Sequence, residues 1–263
     1  MSKEKYYFSK SLEKGMMILS LFNRETPVLT QSNVARTLGL NMTSTYRYIN
    51  TLVELGYLDK DPKTRQIRPS ILCVLFCTNL MRATDHMRMI QQEVDRIHGE
   101  NNISIEVVFA VDDTLVRFYS RQAEETLTYS LPDRTRNCLH NTALGKAYLS
   151  SLPDDQLAAR IEAMELTVRT AKTISDKGGL LDELKKTRAR GYAMSEEEYL
   201  SGLIAIGAPL LEPMSGKSVG AVSFDFSVLE HSAAAIRTKY GDLIRQTAQS
   251  LSALLPPESR HGQ

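Results

Sequence analysis

Thr43, Ser44, Arg47 and Asn50 fall at helical spacing within one short segment, and their residue types suit one kind of chemistry. Small hydroxyls at a helix N-terminus, followed one turn later by arginine, fit a helix end inserted in a DNA major groove. There hydroxyls and exposed amides reach phosphates and base edges, while the guanidinium pairs with phosphate or guanine. Thr30, Gln31, Asn41 and Tyr46 around the same turn, with Lys63 and Arg65 on the hairpin that follows, complete the expected DNA-facing set. Two helices and a turn also occur as plain surface hairpins, so the flanking elements have to decide.

Other reactive residue types carry less. Cys138 and His140 stand two apart as a conceivable nucleophile and base, but no orienting acid lies nearby and no G-x-S-x-G elbow occurs. Glycine-rich phosphate loops of Walker or Rossmann type are absent. Glu196, Glu197 and Glu198 alternate in direction and read as a solvated loop rather than a metal site. Cys73 and Cys77 are one helical turn apart without a second pair, and are expected to be buried free thiols. The chain is therefore expected to have no catalytic residues, no metal site and no cofactor.

The elements that position the DNA-facing set can be read from caps and periodicity. Thr30 can cap a helix with Val34, Ala35 and Leu38 on one face, and Gly39 sits where it stops. After the turn Leu40-Asn41-Met42 a second helix follows, with Thr45, Ile49, Leu52 and Leu55 inward and Tyr48 flanking them. Gly56–Lys60, Asp61-Pro62-Lys63-Thr64 and Arg65–Arg68 read as strand, turn and strand, a wing lined by Lys60, Lys63, Arg65 and Arg68. Cations beside a recognition helix are placed to meet the phosphate backbone. A first helix with Leu12, Met16 and Leu19 inward, and Gly15, Ile18 and Phe22 alongside, supplies the third member of a three-helix core.

Charge supports this reading. The net charge of +1 conceals 11 Lys or Arg against 6 Asp or Glu in residues 1–70, leaving 21 against 25 in the remainder. A basic N-terminal end and an acidic remainder suggest nucleic acid for the first and another task for the second. The 263 residues are enough for two domains. Three cysteines fit reduced thiols, and no apolar run marks a signal peptide or a membrane span, so a cytoplasmic, nucleoid-associated protein with no membrane partner is expected.

Ser70 can cap a helix through Ile71–Arg82 that is apolar nearly all round, which predicts a linker helix at a homodimer interface, Ile71–Met81. Met87, Ile90, Val94 and Ile97 mark another helix, then strands follow at Ile103–Val111, Thr114–Ser120 and Thr126–Ser130, with a turn at Asp112-Asp113. Helices are expected at Thr142–Ser150, from Pro153, at Ser175–Arg190 and at about Glu230–Leu255, with strands at Leu203–Leu210 and Ser218–Asp225. The first ten residues read as frayed and Pro256–Gln263 as disordered. The expected fold class is α+β, with a mostly antiparallel sheet flanked by helices in the C-terminal part.

In order and spacing these stretches resemble the IclR family of bacterial transcriptional regulators. The likeness is carried by Leu29–Leu58, by Leu139-His140-Asn141-Thr142-Ala143-Leu144-Gly145-Lys146-Ala147, and by Arg190-Gly191-Tyr192-Ala193 with Glu196-Glu197-Glu198-Tyr199. Ala205-Ile206-Gly207-Ala208-Pro209 and the strand Val219–Asp225 complete it. The resemblance implies a winged helix–turn–helix domain at 1–69, a linker helix at 70–83, a GAF-like effector domain at 84–255 and a tail at 256–263. It implies a regulator that binds a pseudo-palindromic operator as a dimer or dimer of dimers and senses an organic acid or an aromatic or hydroxylated metabolite. The alternatives are a C-terminal domain that only oligomerises, or an enzyme fused to a DNA-binding module.

By match, the resemblance points to Ala143, Leu144, Ser195, Ala205, Ser223 and Asp225 for the effector. Many members carry an acid, a cysteine and a serine where this chain has Ser195, Ala205 and Asp225. A buried Asp225 carboxylate would repel an anion, so a ligand offering it a hydroxyl or amine is expected in place of a plain short carboxylate. Strand alternation puts Ser223 and Asp225 on one face without saying which.

Overall fold

Side chains that close helix ends set the layout of the first unit. Ser9 accepts from Leu12 N at 3.3 Å where α1, Lys10–Leu19, begins. Thr30 and Asn33 cap each other's backbone amides at 3.2 and 3.1 Å to start α2, Gln31–Leu38, and Gly39 ends it at φ 62°. Asn41 accepts from Ser44 N at 2.8 Å to start α3, Met42–Glu54. A reciprocal cap, a left-handed glycine and an Asx cap within 12 residues hold both the length and the turn of the two-helix motif.

The computed structural model describes residues 8–23, 26–83, 85–111, 114–124, 134–135 and 138–256. The chain divides into two compact units, Met1–Thr84 and Asp85–Gln263. The expected strand at Thr126–Ser130, the turn at Asp112-Asp113, most of the frayed start and all but Pro256 of the disordered tail lie outside the described residues.

In the first unit Ile18, Val34, Ile49, Leu52, Leu58 and Ile67 form the core. Each such buried aliphatic side chain contributes roughly 1.5–3 kcal/mol. Two expectations are corrected here. Leu12 and Met16 are 67% and 51% exposed while Ile18 is fully buried, so α1 turns a different stripe inward. Leu55 is 57% exposed because α3 has ended there and the chain turns out into the wing.

The wing strands β2, Leu58–Lys60, and β3, Gln66–Pro69, pair antiparallel. A two-residue strand not foreseen from the sequence, β1 at Leu29–Thr30, pairs with the other edge of β3. Ser70 donates to Gly56 O and accepts from Leu72 N at 3.1 Å, starting α4, Ile71–Arg82. Ile71, Val74, Leu75 and Leu80 stand exposed on α4, and the free thiols Cys73 and Cys77 are half-buried and exposed, not buried as expected.

Among the described residues the second unit holds a six-stranded antiparallel sheet in the order β6-β5-β4-β9-β8-β7. The strands are β4 (Ser104–Val111), β5 (Thr114–Arg121), β6 (Arg134–Thr135), β7 (Ala193–Glu196), β8 (Leu203–Leu211) and β9 (Ser218–Ser227). One face, with Ile105, Val107, Ile204, Ile206, Val222 and Phe224, packs on α5 (Asp85–Asn101) and α9 (Ala233–Ala253). The other, with Val108, Ala193, Leu203 and Ala221, packs on α6 (Ala143–Ser150), α7 (Asp154–Ala163) and α8 (Lys177–Arg190). Alternation along each strand divides the two cores. The closest helix contact needs a glycine: a Cβ on Gly145 would lie 2.3 Å from the Leu139 backbone, so only glycine lets α6 seat against the preceding turn. The mixed α+β architecture is as the sequence suggested, although β7, Ala193–Glu196, takes in the first glutamate of the run expected as a solvated loop.

Candidate functional site

Two sets of residues must be placed, one in each unit. On α3 the buried face is Thr45, Ile49 and Leu52, which leaves Thr43, Tyr46 and Arg47 exposed and Ser44 and Asn50 half-buried. Thr43, Ser44, Arg47, Lys63 and Arg65 have no side-chain partner among the described residues, and all but Ser44 are exposed. The other five are engaged. Thr30 and Asn41 are helix caps, and Gln31 Nε2 donates to Met42 O at 3.1 Å, tying the two helices at the turn. Asn50 and Tyr46 both meet Lys60. In the wing, Asp61 Oδ1 accepts from Lys63 N at 2.7 Å and Thr64 N at 2.8 Å, and these amides hold its carboxyl below the usual range. Arg65 sits at φ 61° at the end of that turn.

In the second unit, Ala143, Leu144, Ser195, Ala205, Ser223 and Asp225 border one cavity of about 10 Å³, together with Thr142, Tyr199 and Leu203. That is room for about one water. Strand register explains part of the convergence: Ser195 is opposite Ala205, and Ala205 opposite Asp225, across three adjacent strands. Thr142 was legible as the cap of α6 and Leu203 as the same-face neighbour of Ala205, whereas Tyr199 stood in the family-like stretch Glu196–Tyr199 without a site role.

Hydrogen bonding gives this cavity a polarity. Ser195 Oγ donates to Asn141 O at 2.8 Å, Ser223 Oγ donates to Asp225 Oδ1 at 3.2 Å, and Thr142 Oγ1 donates to Cys138 O at 2.7 Å. These three hydroxyls have used their protons, so Ser195 and Ser223 present lone pairs to an incomer, as Asp225 does when ionised. The first-turn amides of Ala143 and Leu144 have no intrahelical acceptor and are donors.

Behind the walls lie buried charges. Glu106 on β4 meets Arg117 on β5 at 2.9 Å. Lys146, fully buried, meets Glu198 at 2.6 Å, and Glu198 Oε2 has no hydrogen-bond partner among the described residues. Glu198 therefore corrects the expectation of a solvated acidic run, while Glu196 and Glu197 pair with Lys172 nearer the surface. His140 Nε2 donates to Thr167 O at 3.1 Å, and burial pushes its imidazole down while pushing the Cys138 thiol up. The hydrogen-bond partner of Cys138 Sγ is Arg169, whose Nη1 donates to it at 3.8 Å. Among the described residues no group of three or more His, Cys, Asp or Glu is gathered to hold a metal, and no helix is long and apolar enough to cross a membrane.

The IclR helix–turn–helix domain matches residues 11–62, and the C-terminal domain of bacterial transcriptional regulator IclR matches residues 86–253. The chain belongs to the IclR family of bacterial transcriptional regulators. It is 26% identical over 259 residues to the HTH-type transcriptional regulator BhcR of Paracoccus denitrificans, covering 97% of this chain and 90% of the relative. An IclR transcriptional regulator from Alicyclobacillus acidocaldarius superposes with a TM-score of 0.82 at 18% identity, covering 94% of this chain and 99% of that one. An IclR homologue from Microbacterium hydrocarbonoxydans, complexed with 4-hydroxybenzoate, gives a TM-score of 0.74 at 14% identity and covers 93% and 98%. IclR proteins are regulators and not enzymes.

In this IclR protein the Asp225 carboxyl is pushed up from 3.8 to about 7, first by burial and then by the Glu106 charge, against the Ser223 hydrogen bond and the Arg117 charge. A raised carboxyl favours folding while protonated, so the stability it contributes is complete below about pH 3.8 and is lost as pH rises to about 7. At 1.36 kcal/mol per unit the loss is at most ~4 kcal/mol. Asp225→Asn is expected to melt above the parent at pH 8 and level with it near pH 4. Melting curves that run parallel across that range would refute the burial of this carboxyl.

Proposed function

We propose that this protein is a DNA-binding transcriptional regulator that acts on a pseudo-palindromic operator as a dimer or dimer of dimers, and that its C-terminal unit senses a small metabolite. The proposed division is a winged helix–turn–helix domain at 1–69, a linker and dimerisation helix at 70–83 and an effector domain at 84–255. The DNA-facing residues are Thr30, Gln31, Asn41, Thr43, Ser44, Tyr46, Arg47, Asn50, Lys63 and Arg65. Support comes from the open face of α3, whose unpaired Thr43 and Arg47 lie on the same side. The apolar residues left in water along α4 fit the proposed dimer contact.

The observation that carries the sensing half is the convergence of α6, β7, β8 and β9 on one cavity with acceptors on the sheet and donors at the helix start. The ligand that complements it carries a carboxylate toward Ala143 and Leu144 and a hydroxyl or amine toward Asp225. The 4-hydroxybenzoate bound by the Microbacterium hydrocarbonoxydans homologue joins a carboxylate to a hydroxyl in this way. Because the cavity as it stands holds about one water, a ligand larger than that favours a state with parted walls. That preference for one state is what would shift operator affinity, by about 1–3 kcal/mol as coupling.

A thermal-shift screen of the full chain against hydroxy acids, amino acids and plain short carboxylates tests this. Stabilisation by a hydroxy or amino acid at concentrations that leave a plain carboxylate inert supports the reading. No response to any class would reduce the C-terminal unit to an oligomerisation module.

A further inference from the structure

Four cations line the wing, and their surroundings separate them. Lys63 and Arg65 are exposed, without a side-chain partner among the described residues. Arg68 faces Asp59 at 3.8 Å with both side chains in solvent. Lys60 differs: it is half-buried, its Nζ donates to Asn50 Oδ1 at 3.3 Å, and the same Nζ lies 5.0 Å from the centroid of the Tyr46 ring. Tyr46 and Asn50 are one turn apart on α3, so a single ammonium on β2 grips two side chains flanking Arg47.

We propose that Lys60 is a positioning residue: it straps the wing to the recognition helix, fixes how the Asn50 amide is presented, and makes no phosphate contact. The amide orientation follows from donor chemistry. An ammonium has only protons to give, so it can face only the oxygen of Asn50. The amide NH2 is then the outward end of Asn50. An asparagine that reads adenine needs its oxygen for the N6 amino group as well as its NH2 for N7. With the oxygen held by Lys60, Asn50 is set to donate to a base-edge acceptor or a phosphate. The inference rests on the reading that α3 and the wing face DNA.

The test uses the full chain and a duplex it selects from random-sequence DNA, with binding measured over a salt series for the parent, Lys60→Met, Asn50→Ala, their double variant, Lys63→Ala and Arg47→Ala. Removing a phosphate contact lowers the slope of log affinity against log salt by about 1, which is expected for Lys63→Ala. Lys60→Met should leave that slope unchanged and reduce the ratio of specific to non-specific affinity about tenfold. Adding Asn50→Ala to Lys60→Met should cost little further, since residues acting through one another are not additive. A slope lowered by about 1 in Lys60→Met, an unchanged specificity ratio, or full additivity with Asn50→Ala would each overturn the proposal. Should Lys60→Met fail to fold, Lys60→Gln, which keeps a donor within reach of Asn50, is expected to retain the parent's slope and most of its specificity, and a lowered slope there counts against the strap. If Lys63→Ala and Arg47→Ala both bind as the parent does, the DNA-facing reading itself has failed, whatever Lys60 does.

Discussion

Glu198→Ala is expected to destabilise the C-terminal unit by about 3–5 kcal/mol, the range for removing one member of a buried ion pair. Lys146 Nζ lies 2.6 Å from Glu198 Oε1 with no solvent access of its own. Burial pushes the Lys146 ammonium down and the Glu198 carboxyl up, while their mutual attraction opposes both shifts. Take away the carboxylate and the ammonium must either stay charged without a partner or lose its proton, and each route weakens the fold. The pair is not fully satisfied, because Glu198 Oε2 lacks a hydrogen bond among the described residues. Lys146→Met with Glu198→Leu should therefore recover most of the loss, since apolar replacement of a whole buried pair is often neutral. Denaturant unfolding of Lys146→Met, Glu198→Leu and their double variant closes the cycle. A Glu198→Ala loss below about 1 kcal/mol, the level of a surface pair, would mean that the pair is wet.

Arg47→Ala should reduce discrimination of the operator from random duplex about 10- to 100-fold, in line with roughly 1–3 kcal/mol for a good arginine–base pairing. The guanidinium is exposed and unclaimed by the protein among the described residues, one turn beyond Thr43. Replacing it removes nothing from the core of Ile18, Val34, Ile49, Leu52, Leu58 and Ile67, so folding should be unaffected. Gel shifts on the selected duplex and on a scrambled one measure the effect. Equal binding of parent and variant to the selected duplex would exclude Arg47 from recognition.

What the sequence disclosed was mostly local. Thr30, Gly39 and Asn41 determine caps and turns through their own chemistry, so the helix pair could be read from them. The stripe that α1 buries could not, because Leu12, Met16, Ile18 and Leu19 offer two overlapping apolar faces and only tertiary contacts choose Ile18. β1 is two residues long and exists by pairing with β3, so it has no periodicity of its own. β7 and Glu198 were obscured by the run of acids after Ser195, whose charge suggests solvent. The partner that lets Glu198 go inside, Lys146, lies 52 residues earlier, a separation that spacing arguments cannot bridge. The cavity residues were legible through family likeness. The use of each hydroxyl proton, which decides what the cavity can accept, required atomic positions.

The water-sized chamber beneath Asp225 also bears on timing. On the proposed sensing role, a metabolite cannot simply diffuse into a space that small, so its capture rate should level off at high concentration, limited by how often α6 and the sheet part.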